Sequence, residues 1–179
     1  MYSSDPKPYN SFGNGAAMRV SACAWAADTM FDAIEMSDEV TKVTHNHPEG
    51  IKGARAVTAA IFMARTGCSK DEIYEFIDQN YYSLDKSVNK IRETLQFDET
   101  CQVTVPVAIQ CFYESEDFED CLRLAISVGG DSDTIAAIAC SIAEAYYGVP
   151  EYIREKVLTF VPQQLKDILF RFEEIYEEE

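Results

Sequence analysis

From Ala16 onward, apolar residues recur at three- and four-residue spacing, a rhythm that predicts successive helices. No two strand-like runs are joined by a hairpin turn. The first 15 residues hold two prolines, two glycines and two asparagines and read as turns. Ala16 to Met30 reads as helical, and Ser37-Asp38-Glu39 opens a short helix towards Thr44. Pro48 stands in the first turn of a helix that runs through Ala54–Ala64 and stops at Gly67. Ser69 followed by Glu72 is a capping-box pattern ahead of a helix Asp71–Gln79. Tyr81–Ser87 reads as a loop with one or two further short turns. Pro106 lies near the start of a helix Val105–Tyr113, and Ser115 precedes another, Asp117–Val128. Ile135–Tyr147 is the most apolar segment and is expected at the centre. Pro150 and Pro162 each open a further helix, and Glu173–Glu179 reads as an acidic tail, solvated or frayed. With no internal repeat and no linker, the expectation is an all-α, compact multi-helix bundle forming one domain over residues 1–179.

Composition narrows the function. At 179 residues with 47% hydrophobic and 12% aromatic positions, the chain can bury a core and is not disordered. A net charge of −16 opposes unaided binding to nucleic acid or to an anionic membrane. An anionic small ligand would need local donors to overcome that field. The six cysteines are scattered, form no CxxC pair, and read as reduced core thiols. The opening stretch around Asp5, Pro6, Lys7 and Pro8 is no secretory signal, and no apolar run nears the roughly 18–20 residues that span a bilayer. The expected setting is a reducing cytoplasm.

Three segments could carry chemistry. Gly129-Gly130-Asp131-Ser132-Asp133-Thr134 places two carboxylates and a hydroxyl where a glycine turn meets a helix start. An oxygen-only set suits a hard cation such as Mg²⁺ or Mn²⁺; without metal it reads as a helix start capped by Asp131 or Ser132. Ser11-Phe12-Gly13-Asn14-Gly15-Ala16-Ala17-Met18-Arg19 is a loop whose glycines let backbone approach a ligand. A following helix would aim free N–H groups at an anion there, with Arg19 as a fixed charge; the alternative is an ordinary loop-to-helix entry. Thr44-His45-Asn46-His47-Pro48-Glu49-Gly50 holds both histidines. Their i, i+2 spacing lacks helical zinc geometry and no third ligand accompanies them. Either they touch a nucleotide or sugar, or His47 or Asn46 caps the next helix.

In this order, the three segments resemble the ADP-ribosylglycohydrolase family. Glu39-Val40-Thr41, Gly50-Ile51-Lys52-Gly53-Ala54 and Thr104-Val105-Pro106-Val107-Ala108 add to the resemblance, which runs from about Asp5 to about Pro150. It implies an all-α fold and two divalent metals, Mg²⁺ or Mn²⁺, beneath the ribose of an ADP-ribosyl group. The reaction it implies is hydrolysis of the glycosidic bond joining ADP-ribose to a protein side chain or small molecule. By resemblance, Asp131, Asp133 and Thr134 are metal ligands. Ser11, Gly13, Asn14 and Gly15 face diphosphate and ribose, with Met18 and Arg19 behind them, and His45 lies near the adenosine half.

The sequence departs from the family in one respect: it contains no Thr-Asp-Asp motif, which supplies the other metal ligands, and Asp28-Thr29 and Asp5 are the nearest substitutes. The expectation is therefore such a bundle lacking the N-terminal helices, binding ADP-ribose or an ADP-ribosylated protein and, where active, hydrolysing it. The alternative is a non-catalytic ADP-ribose-binding protein, a sequestering or reader module. Helix faces left uncovered predict a homo-oligomer or a partner chain.

Overall fold

The computed structural model describes residues 7–176, so Asp5 and the last three residues of the expected acidic tail lie outside it. Among the described residues there are ten α-helices and no strand beyond a single bridge between Gly13 and Thr100. In chain order they are α1 (Ser21–Ala26), α2 (Met30–Lys42), α3 (Pro48–Arg65), α4 (Lys70–Asn80), α5 (Val88–Thr94), α6 (Cys101–Glu114), α7 (Phe118–Ser127), α8 (Ser132–Tyr147), α9 (Glu151–Leu158) and α10 (Gln163–Tyr176). A 3₁₀ turn, Asn14–Ala16, precedes them.

The long helices α3, α6 and α8 form the centre. On α3 the buried side chains are mostly small, with Ala54, Ala56, Ala59, Ala60 and Ala64 among them. Such a surface lets neighbouring helix backbones come close. The apolar α8 packs against α3, α6 and α7, as its sequence predicts. All six cysteines are free thiols, and Cys23, Cys101, Cys111 and Cys121 are buried. No helix among the described residues is long and apolar enough to cross a membrane.

Local signals account for several helix ends. Pro48 occupies the first turn of α3, with His47 as N-cap accepting a hydrogen bond from Glu49 N at 3.1 Å. Ser69 and Glu72 close the capping box ahead of α4.

Other ends differ from the pattern. The helical stretch expected over Ala16–Met30 is broken into the 3₁₀ turn, α1 and the first residue of α2. Ser37 opens no helix: it lies fully buried inside α2, whose cap is Thr29, accepting from Asp32 N at 3.1 Å. Pro106 sits inside α6, which begins four residues before Val105. The proline leaves the carbonyl of Gln102 without a helical donor. Asp117 caps α7, while Ser115 donates back to Phe112 O at 2.7 Å and closes α6. The acidic tail is also a correction within the described residues: Glu173 and Glu174 belong to α10, and Glu173 pairs with Arg154 at 2.7 Å.

Candidate functional site

The glycine loop is held by the start of α6. Asn14 N donates to Glu99 O at 2.7 Å, Cys101 N donates to Phe12 O at 3.0 Å, and the Cys101 thiol donates to Gly13 O at 3.2 Å. Burial pushes that thiol up to about 12, so it stays protonated and braces the loop rather than acting as a nucleophile. Helix α3 closes from the other side. A Cβ at Gly50 would lie 2.9 Å from Ser11 O, and one at Gly53 would lie 2.7 Å from Cys101 Cβ and Sγ. Absent side chains at these two positions set how tightly α3 approaches the loop and α6.

The acidic turn arrives from α8. Gly129 and Gly130 have φ of +75° and +63°, a conformation that favours glycine. The second also fits under Leu95, whose Cδ2 would be 3.0 Å from an added Cβ. The turn delivers Asp131 to the N-cap of α8, without a side-chain cap bond of its own. Its carboxylate instead accepts from the Asn14 amide at 2.6 Å, and the same amide donates to Thr104 Oγ1 at 3.0 Å. Asn14 is 7% exposed and Thr104 1%, so that end of the bridge lies in the protein interior, while Asp131 is half-buried. It joins two segments 117 positions apart.

Asp133 is exposed, and the Asp131 carboxyl beside it holds its own carboxyl below the usual range, helped by the N–H groups of Thr134 and of Asp133 itself. Thr134 is buried beside them. Among the described residues, no group of three or more His, Cys, Asp and Glu is gathered as a metal cage.

His45 is buried behind the loop. Its Nδ1 lies 2.7 Å from Thr44 Oγ1 and 3.2 Å from Arg19 Nη2. A guanidinium only donates, so Nδ1 accepts and neutral His45 carries its proton on Nε2. Burial, and then the Arg19 charge, hold its pKa below the ordinary value and favour that neutral form. Nε2 points at the loop, 3.7 Å and 3.5 Å from where Cβ atoms on Gly13 and Gly15 would be. The site therefore presents an N–H donor across bare backbone.

Arg19 is spent on bracing. Its Nε donates to Gly15 O at 2.5 Å and its Nη1 to Thr44 Oγ1 at 3.2 Å. Ser11 Oγ accepts from Gly13 N at 3.2 Å, and Met18 is 45% exposed at the surface. In place of a long helix behind the loop there is a three-residue 3₁₀ turn, which carries little of a helix dipole. His47 caps α3, and its ring lies tilted against Phe12, with centroids 5.1 Å apart.

The structure thus joins Asn14 to Asp131 and sets His45 beside Gly13 and Gly15. Thr104 and Cys101 are the supporting residues that sequence reasoning left out of the site. The one available signal was a threonine in the otherwise apolar run Val103–Ile109.

An all-α bundle that ties a glycine loop to an acidic helix start defines a class of helical proteins built around an oxygen-rich pole. The model of the ADP-ribosylglycohydrolase family matches residues 2–178, and the chain belongs to that family. The ADP-ribosylhydrolase ARH3 of Mus musculus is 26% identical over 191 positions, covering 79% of this chain and 50% of that protein. An uncharacterized protein of Archaeoglobus fulgidus is 30% identical, covering 76% and 50%. The ADP-ribosylarginine hydrolase Tri1 of Pseudomonas putida is 25% identical, covering 88% and 46%. The chain spans about half the length of the curated relatives it matches. A solved structure, an ADP-ribosylglycohydrolase-related protein complex, shares the fold with a TM-score of 0.66 at 22% identity, covering 81% of this chain and 54% of that one.

Proposed function

We propose that this chain binds an ADP-ribosyl group over the Gly13–Gly15 loop and, with a divalent cation at Asp131, Asp133 and Thr134, hydrolyses its glycosidic bond. The hydrogen bond from Asn14 to Asp131 carries the proposal, because it couples the loop that would hold the ligand to the carboxylates that would hold the cation. The half-exposed backbone N–H of Gly15 and the Nε2–H of His45 would supply local donors for an anionic ligand, which the charge of −16 makes necessary.

The donor chemistry fits Mg²⁺ or Mn²⁺. Asp131 and Asp133 are close enough to share a hydrogen bond, with a hydroxyl beside them and no soft ligand. A cation bound there would polarise a ribose oxygen or activate a water molecule. Asn14 orients Asp131 for that role and keeps its carboxylate aimed at the loop. Three oxygens are about half of an octahedral shell. That shortfall supports the second reading, a non-catalytic protein that sequesters or reads ADP-ribose.

The acidic surface and six free thiols support a cytoplasmic setting. Exposed apolar helix faces support work in an assembly, as a homo-oligomer or with a partner chain.

Calorimetry with ADP-ribose, with and without Mg²⁺, tests the binding. Heat that saturates and tightens with Mg²⁺ is expected, and flat titrations in both buffers overturn the reading. Release of ADP-ribose from modified arginine or serine peptides separates the enzyme from the non-catalytic reader.

A further inference from the structure

Leu95, under which Gly130 fits, also forms one wall of a cavity of about 470 Å³. The cavity lies between α5, one face of α6 and the loops 83–86 and 95–98. None of the residues given to the ligand or the cation in the reading above lines it. Its volume falls within the roughly 300–1,000 Å³ of small-molecule sites, and its wall has their composition. Leu84, Ile91, Leu95, Val103, Pro106 and Val107 make that wall largely apolar. Phe97 lines it too and is 67% exposed, so an aromatic ring stands where the cavity meets solvent.

Gln110 makes this more than an apolar recess. It belongs to the wall, is only 6% exposed, and its amide has one orientation. Glu114 Oε1 accepts from Val88 N at 2.8 Å and from Gln110 Nε2 at 2.8 Å. A carboxylate offers acceptors, so the amide nitrogen faces Glu114 and the amide oxygen is left over. That oxygen is buried, and no donor among the described residues reaches it. A buried acceptor without a donor is destabilising unless something supplies one. On the same stretch of α6, Pro106 has no N–H for the carbonyl of Gln102, a further acceptor. Charge points the same way. Asp85 and Asp98 outnumber Lys86 around the cavity, in a chain that carries −16.

We infer that this cavity binds a small aromatic cation whose N–H group donates to Gln110 Oε1. The apolar wall takes the ring, Asp85 and Asp98 match the charge, and Phe97 offers a ring face to the cation. Water is a poor substitute, because it needs roughly two to four polar partners and meets mostly apolar side chains here.

The probe is naphthamidine, a bicyclic aromatic amidinium, with anionic naphthoate as the control of matching shape. Calorimetry of the full chain is expected to show saturable binding of the amidine and affinity lower by about tenfold or more for the naphthoate. In an NMR titration the side-chain amide of Gln110 shifts with the amidine. Gln110→Met keeps the length but removes the acceptor, and is expected to weaken the amidine about tenfold with unchanged helical circular dichroism. Val107→Phe fills the cavity and is expected to abolish binding. No saturable binding of the amidine, equal affinity for the naphthoate, or full affinity in both variants overturns the inference. Displacement of the amidine by ADP-ribose also overturns it, because the probe would then sit on the Gly13–Gly15 loop. ADP-ribose titration of Gln110→Met is expected to match the wild-type chain, which keeps a failed cavity distinct from a failed ligand site.

Discussion

The pole around Asn14 and the hairpin of α9 and α10 are built on opposite principles. At the first, nearly every polar group is bound by another and glycines bring helices into close contact: Asn14 holds Asp131 and Thr104, and Arg19 holds Gly15, Thr44 and His45. At the second, neither helix has a buried residue, and the ion pair Arg154–Glu173 spans the two. Tight mutual constraint suits a site that must hold groups to fractions of an ångström. A loosely held apolar helix suits a surface that is completed by something else. Substitutions in the two regions should accordingly differ in kind as well as in size.

The largest effect is expected at Asn14. Asn14→Ala removes the donor to the buried Thr104 hydroxyl, leaving it only its long 3.5 Å bond to Asp98 O, and lets Asp131 turn away. Losing an orienting group of this sort costs about 10–100-fold in metal affinity or activity, and the unmatched polar groups cost a further ~1–3 kcal/mol of stability. Mg²⁺-dependent ADP-ribose binding and urea melts report the two losses separately. A variant with wild-type values for both would remove Asn14 from the centre of the comparison.

Next comes the packing beneath the loop. Gly53→Ala drives a methyl group to 2.7 Å from Cys101, so α3 and α6 must separate, at about 1–3 kcal/mol. Gly67→Ala is the control. That residue has φ +86° with nothing within 4 Å, so only backbone strain of ~1 kcal/mol is expected. Urea midpoints rank the pair, and equal losses would show that the α3–α6 contact is looser than its geometry.

How far the sequence revealed this structure depended on whether a feature was local. The capping box at Ser69, the proline at the start of α3 and the apolar α8 are written in neighbouring residues, and pattern alone found them. Ser37 misled because Ser-Asp-Glu mimics a helix start, whereas it is a small side chain fully buried in the middle of α2. Pro106 misled for the converse reason. Proline normally marks a first turn, but α6 is nucleated from outside by Phe12 O, which receives Cys101 N. The bridge from Asn14 to Asp131 has no local signature at all; only the order of several motifs, read as a family resemblance, pointed to both ends of it. Arg19 shows the limit of that route, since the motif named the residue but not that its guanidinium is committed to Gly15 and His45.

Acidity offers a milder probe of the constrained pole. His45 is held below its ordinary value of 6.5, so below that pH the unfolded chain takes up a proton that the folded chain resists. Stability should therefore fall as pH drops from about 6.5, with a slope no steeper than ~1.4 kcal/mol per pH unit. His45→Gln should flatten this limb between about pH 5.5 and 7, above the range where carboxylates titrate. Denaturant midpoints across that interval check it. An unchanged slope would place the proton uptake elsewhere.

The smallest effect is expected at Glu173→Gln. Its partner Arg154 keeps 31% of its side chain exposed, so screening limits the pair to about 0.5 kcal/mol. The substitution also removes one negative charge from a chain carrying −16, which offsets part of that loss. Melts should shift by no more than a few tenths of a kcal/mol. A loss above ~2 kcal/mol would mean that α10 is anchored to the rest of the chain as firmly as the helices of the pole. The contrast between the two regions would then collapse.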